Sequence, residues 1–243
     1  MKRISIALLL LFIFTANSQE IKQSAFSFSY IYQFPIGNLA TTFGNNSAIG
    51  GKYYFETQNN MFYGTEASFR FGNNIKDSTI FNNISTTNGE IIDGNGMYAN
   101  INIMQRGFDA YLLVGYAFHH NKKNLSGIYI YQGVGYLENK IFINTKNQNI
   151  PQLNNEMKKG YDKYSSGFST KFSIDYNYYH KKGKLQINAG ANYIMALMQN
   201  QRTYDFANNT RYSKKRNWEN LIGLKIEIII PIQRRNKEEF HYF

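Results

Sequence analysis

The chain has 243 residues, of which 16% are aromatic, 3 are Pro and none is Cys, and its formal net charge is +11. This length holds one large domain or two small ones, and the residue balance suits long strands joined by polar turns. The missing Cys excludes a Cys-acylated lipoprotein and any disulfide framework, so stability has to come from packing and backbone pairing.

At the N-terminus Lys2 and Arg3 precede the apolar run Ile4 to Thr15 and the small residues of Ala16-Asn17-Ser18. Residues 1–18 read as a secretory signal peptide, with the mature chain beginning near Gln19. The apolar run is shorter than the roughly 20 residues of a membrane-spanning helix, and no later stretch approaches one. A mean hydropathy of −0.46 would suit a soluble protein, but strands with two unlike faces cancel in such an average.

Period-two alternation begins at Ala25 to Phe34, where Phe26, Phe28, Tyr30, Tyr32 and Phe34 oppose Ser27, Ser29 and Gln33, with Ile31 out of phase. Ser47 to Thr57 sets Ile49, Tyr53 and Phe55 against Lys52 and Glu56. Met61 to Phe71 sets Met61, Tyr63, Ala67, Phe69 and Phe71 against Gly64, Glu66, Ser68 and Arg70. Phe108 to Phe118 follows the same rule, whereas in Gly127 to Ile143 Tyr129 and Tyr131 compete with Ile128 and Ile130 for the apolar face. Phe168 to Tyr179 alternates most regularly, with Ser169, Lys171, Ser173, Asp175 and Asn177 on its polar side. Leu185 to Met198 and Trp218 to Ile232 complete the series, the latter opposing Glu219, Gly223, Lys225 and Glu227 to Ile222, Leu224, Ile226, Ile228 and Ile230. Such alternation marks strands with two unlike faces. About eight strands result, many near the roughly 9 to 11 residues that a tilted strand needs to cross a bilayer.

The connections alternate in length. Gln58 to Asn60, His119 to Ser126 and His180 to Lys184 are short, while Pro35 to Asn46, Asn73 to Gly96, Asn144 to Lys163 and Gln199 to Asn217 are long. An antiparallel barrel with short periplasmic turns and long outer loops has this rhythm. Residues 19–232 are therefore expected to form one all-β, eight-stranded, up-and-down transmembrane barrel, with 233–243 as a short periplasmic tail of charged and aromatic residues.

Alternation alone does not say which face points outward, because a lipocalin-like soluble barrel turns its apolar face inward. Three features favour lipid outside. Charges of both signs, Glu66, Arg70, Lys171, Asp175, Lys225 and Glu227, sit at mid-strand, where a narrow lumen lets them pair across it as a plug. Aromatics gather at strand ends: Tyr53, Phe55, Tyr116, Phe118, Tyr176 and Tyr178 lie beside short turns and Trp218 beside a long loop, as in an interfacial girdle. The apolar faces also hold more bulk than an eight-stranded interior with a ligand cavity has room for.

With "FPIGNL" (34 to 39) closing the first strand, "LIGLKIEIIIPI" (221 to 232) as the last, and the end Phe240-His241-Tyr242-Phe243, the chain resembles the small eight-stranded outer-membrane barrels of the OmpA and OmpX type, especially those of the Bacteroidota. The resemblance covers nearly all of the mature chain. It implies a place in the outer membrane among lipid and lipopolysaccharide, and dependence on the barrel-assembly machinery, which in that family reads a terminal aromatic strand. Here Arg234 to Glu239 separate the strand from Phe243.

Outer-membrane enzymes of this shape use His with Ser, Asp or Glu. On this topology His119, His120 and His180 fall in periplasmic turns and His241 in the tail, so no catalytic, metal or cofactor site is expected, and His119-His120 reads as a solvated turn. No phosphate loop is present. The charge falls to about +9 once Lys2 and Arg3 leave with the signal peptide. Much of the excess lies in Arg202, Arg211, Lys214, Lys215 and Arg216 of the last outer loop and in Lys158, Lys159 and Lys163 of the loop before it, a rim that reads first as solvated charge tolerating an anionic outer leaflet and, as the alternative, as a site for lipopolysaccharide phosphates or acidic glycans, and not for nucleic acid. The expected function is a non-enzymatic outer-membrane protein, envelope-structural or an accessory subunit of an assembly, related by analogy to secretion or barrel insertion and with protein partners there. A narrow pore, a lipid-A or surface-polymer enzyme and a soluble lipocalin-like carrier stay open as alternatives.

Overall fold

A computed structural model describes residues 21–121, 124–179 and 186–232. The expected signal peptide, the tail 233–243, the turn His180 to Lys184 and His241 lie outside the described residues. Eight strands form a closed barrel: β1 (Ile21–Ile36), β2 (Asn46–Thr57), β3 (Met61–Gly72), β4 (Asn102–Asn121), β5 (Asn124–Asn144), β6 (Ser165–Tyr178), β7 (Gln186–Asn200) and β8 (Asn217–Ile232). Each pairs antiparallel with its neighbour in sequence, and β1 pairs with β8 to close the ring, Phe28 opposite Ile228 and Tyr32 opposite Leu224. A short helix, α1 (Leu39–Thr42), and a small hairpin, Tyr204–Asp205 with Thr210–Arg211, lie in the long loops.

The alternation in the sequence becomes the two walls of this ring. Phe28, Leu112 and Ile226 are 62%, 65% and 62% exposed, and similar outward residues recur on every strand, while Arg70, Lys171, Asp175, Lys225 and Glu227 are almost wholly buried. This inverts a water-soluble protein, whose surface rarely carries a contiguous apolar patch beyond a few hundred Å². The exterior is a lipid-facing wall and the barrel a transmembrane one. Aromatic side chains rim it: Tyr53, Tyr116, Phe118, Tyr176 and Tyr178 are exposed towards the turn end and Trp218 towards the loop end.

Several strands run longer than their alternation suggests. β4 and β5 have 20 and 21 residues, so His119 and His120 belong to β4 and Ser126 to β5 instead of to a turn, while residues 122–123 lie outside the described residues. Polar residues at these ends interrupt the hydrophobic pattern without interrupting backbone pairing, which needs no particular side chain. The ambiguous strand resolves towards the inside for Tyr129 and Tyr131, 1% and 2% exposed, with Ile128 outside. Ile31, out of phase in sequence, is likewise inside. Both cases put bulk where an eight-stranded lumen has space to fill.

Replacing Ile226 with Arg puts a cation on the lipid-facing wall, at a cost of about 2 to 4 kcal/mol at bilayer depth. The expected result is a lower folded yield in lipid vesicles, read by heat-modifiable gel migration. A wild-type yield would contradict the outward assignment of that face.

Candidate functional site

Layers of interlocked polar side chains run through the lumen, among buried apolar residues such as Ile31, Leu113, Leu137 and Ile194. In the middle layer Tyr131 on β5 is the hub: its hydroxyl donates to Asp175 Oδ2 at 2.7 Å and accepts from Lys52 Nζ at 3.2 Å and from Lys225. Those contacts use the single donor and both lone pairs of a phenol. Lys225 Nζ lies 2.7 Å from Asp175 and 3.0 Å from Glu227, and Lys52 Nζ lies 2.8 Å from Glu227. Lys171 meets Glu66 at 2.6 Å. Lys52, Lys171 and Lys225 thus balance Glu66, Asp175 and Glu227, and the layer is neutral.

Strand register explains how these partners meet. Gly190 on β7 stands opposite Asp175 on one side and Lys225 on the other. With no side chain at 190, Lys225 reaches across β7 to the carboxylate, and a Cβ there would collide with Asp175 itself. Lys171 similarly faces Gly133 on β5, which leaves its path to Glu66 on β3 open.

Above this layer Arg70, fully buried, spends its guanidinium on Asp109 Oδ2 (2.8 Å), Gln33 Oε1 (2.6 Å) and Asn139 Oδ1 (2.7 Å), while Ser68 Oγ donates to Asp109 Oδ1 (2.7 Å). Near the turn end Glu56 gathers Lys22 Nζ (2.9 Å), His119 Nε2 (2.6 Å) and the Tyr129 hydroxyl (2.8 Å). Phe62 stacks on Tyr131 at 5.1 Å and meets Tyr129 edge-on at 5.8 Å, closing the space between the lower and middle layers.

The six charged residues singled out in the sequence all face the lumen, but the partners differ from simple proximity in sequence. Asp175 is held by Lys225, not by Lys171, whose partner is Glu66, and Arg70 is held by Asp109 rather than Glu66. Lys171 and Asp175, like Glu66 and Arg70, stand four residues or roughly 13 Å apart along one strand face, whereas a lysine reaching over from another strand meets its acid end to end. Lys52, Glu56, Asp109 and Tyr131 belong to the network as fully as those six. Their polar-face parity signals Lys52 and Glu56, while Asp109 lies within a strand read for its apolar face and Tyr131 has no polar signature. His119, expected in a solvated turn, is instead a partner of Glu56 because β4 extends past it.

The loops fold into a crown over this plug. Ile80, Ile150, Leu153 and Tyr161 are buried there, next to Leu39 and Phe43 at the mouth. Tyr161 meets Phe81 at 5.6 Å and Phe206 at 5.5 Å. Gly160 packs under the Phe206 ring, where a Cβ would overlap it, and Phe206 N–H donates to Gly160 O at 3.0 Å. The expected cationic rim is therefore partly neutralised. Arg202 forks onto Asp162 and lies over the Tyr164 ring, Lys163 pairs with Asp77, Lys159 meets Glu156 at 2.9 Å and Lys158 donates to Thr145 at 3.3 Å. Arg211, Lys214, Lys215 and Arg216 are exposed. Burial pushes the Asp77 carboxyl up, and the Lys163 ammonium with the Thr79 hydroxyl and amide outweighs it, leaving the group below its ordinary 3.8. The same kind of pairing with Asp162 raises Arg202.

Among the described residues, no cluster of three or more His, Asp or Glu is placed to hold a metal ion. Each carboxylate of the middle layer already faces a lysine.

No family model matches the chain, and no curated protein matches it. Among solved structures it is similar to Ail, the attachment invasion locus protein of Yersinia pestis, in complex with the heparin analogue sucrose octasulfate, at 12% identity, covering 87% of this chain and 99% of that one with a TM-score of 0.41. Neisserial surface protein A is 10% identical, with 85% and 96% covered and a TM-score of 0.41. The outer membrane protein OprG from Pseudomonas aeruginosa is 9% identical, with 89% and 99% covered and a TM-score of 0.38.

Lys171→Met leaves Glu66 buried without its cation and is expected to destabilise the barrel by about 3 to 5 kcal/mol. Adding Glu66→Gln should restore much of that loss, so urea unfolding in micelles of the two singles and the double gives a strong coupling. Additive effects would refute the pair. In the crown, a carboxyl with a folded pKa below its unfolded one contributes stability above the unfolded value and loses it as pH falls through the folded one. Hydrogen exchange of residues 73–80 should therefore quicken below pH about 4, and Asp77→Asn should remove that pH dependence.

Proposed function

We propose that this protein is an integral outer-membrane barrel of the cell envelope, a closed and non-enzymatic scaffold that supports the envelope or serves as a small subunit of a larger assembly there. One observation carries the reading: an apolar wall on every strand surrounds a lumen packed with neutral ion-pair layers. An even number of antiparallel strands with short turns at one rim and long loops at the other fits bacterial outer-membrane barrels and directs the crown to the cell surface. Exposed Arg211, Lys214, Lys215 and Arg216 then face the outside, where anionic glycans or lipid phosphates are the fitting partners.

The filled lumen weighs against the pore. Lys52, Lys171, Lys225 and Arg70 each meet a carboxylate within 2.8 Å in the space that an ion would need. In planar bilayers the purified, refolded protein is expected to give no steady, large conductance, and in native cells it should stay with the membrane after a carbonate wash. Release by carbonate would overturn membrane integration, and sustained conductance would overturn closure.

A further inference from the structure

The outward faces of the eight described strands are nearly free of charge. Arg106, Glu138 and Lys140 are the charged side chains there among the described residues, and all lie on the seam between β4 and β5 near its loop end. Arg106 stands directly opposite Lys140 in the register. Like charges so placed repel, and among the described residues neither cation has a carboxylate at ion-pair distance. Glu138, the nearest acid along the strand, is taken by the Tyr164 hydroxyl at 2.9 Å and the Tyr136 hydroxyl at 3.5 Å.

A lone cation at this height simply extends towards water. Arg106 does otherwise: its guanidinium lies 5.8 Å from the centre of the Phe69 ring and 5.8 Å from that of Phe142. The rings hold it against the lipid-facing wall beside Lys140, where two positive charges in a partly apolar layer call for an anion. Towards the turn end, beyond the outward pair Phe108 and Glu138, the wall sinks into an open furrow of about 590 Å³ where Ala67 and Ala110 leave room between Leu112, Val134 and Tyr136. Cations above and an apolar furrow below match the two ends of one molecule, an anionic headgroup on acyl chains.

We propose that Arg106 and Lys140, with the furrow beneath them, bind a lipid of the outer leaflet through a phosphomonoester. The guanidinium offers a fork of donors to the phosphate and the ammonium a point charge, and the anion removes the repulsion between them. The acyl chains fill the furrow. The site rests on the membrane-inserted reading of the barrel and is distinct from the exposed loop cations.

Native mass spectrometry of the full mature chain, refolded in detergent, tests this with bis-phosphorylated lipid A, its dephosphorylated form and inorganic phosphate as probes. The wild type is expected to retain the phosphorylated lipid about tenfold better than the dephosphorylated one, as charge-assisted hydrogen bonds imply. Arg106→Gln with Lys140→Gln should abolish that preference, Lys140→Gln alone should reduce it, and Lys214→Gln with Lys215→Gln should leave it. The variants remove charge from the lipid-facing wall or from an exposed loop, so folding is not at risk, and heat-modifiable migration verifies it. Equal retention of the two lipids, an unchanged preference in the double variant, or displacement of the lipid by equimolar phosphate would overturn the site. If the barrel fails to insert into lipid at all, the membrane reading falls and the site with it, an outcome separate from insertion without lipid preference.

Discussion

Closure of β1 onto β8 is the constraint from which the rest of the molecule follows. In hydrocarbon no water is present to satisfy a free strand edge, so every backbone donor and acceptor has to find its partner in a neighbouring strand. Thirteen register pairs, from Ser24 with Ile232 to Ile36 with Asn220, complete that ring. A ring of this size encloses a space that side chains alone can fill. The lumen is narrow because the sheet has to close, and its charged middle is packed round with inward apolar residues such as Ile31, Phe62, Leu113 and Ile194.

Polar contents in a sealed space carry their own demand. A lysine withdrawn from water costs several kcal/mol unless a carboxylate and further hydrogen bonds meet it. The middle layer answers with equal numbers of lysines and acids and with the Tyr131 hydroxyl shared among Lys52, Lys225 and Asp175. Glu227 lies at 2.8 Å and 3.0 Å from its two lysines without the angles of hydrogen bonds, so its share in the layer is mainly electrostatic. Small residues are part of the same solution, since Gly190 and Gly133 clear the routes that the long side chains take. Beyond this interlocked lumen, the crown and the outer wall are the protein's exposed surfaces.

Those two surfaces differ in character. In the crown, Ile80, Leu153, Tyr161 and Phe206 form a small apolar cluster, and ion pairs such as Lys163 with Asp77 tie the loops together around it. On the outer wall, charge is confined to one seam, so its placement has chemical meaning against an otherwise apolar background.

The sequence alone determined the barrel and its two faces. Strict alternation at Phe172, Ile174, Tyr176 and Tyr178 against Ser173, Asp175 and Asn177 specifies a two-faced strand because successive side chains in an extended chain point to opposite sides. Loop lengths gave the antiparallel order, and mid-strand charges of both signs pointed to a polar interior. Partner choice was decided by the tertiary structure, because it depends on strand register and on which side chain crosses the lumen. Asp175 joins Lys225 and not Lys171 since Gly190 stands between them on β7. The inward turn of Tyr129 and Tyr131, the capture of Arg202 by Asp162 and the meeting of Arg106 with Lys140 belong to the same class. Each joins residues distant in the chain, or settles which face of a strand turns inward, and only the closed ring fixes such relations.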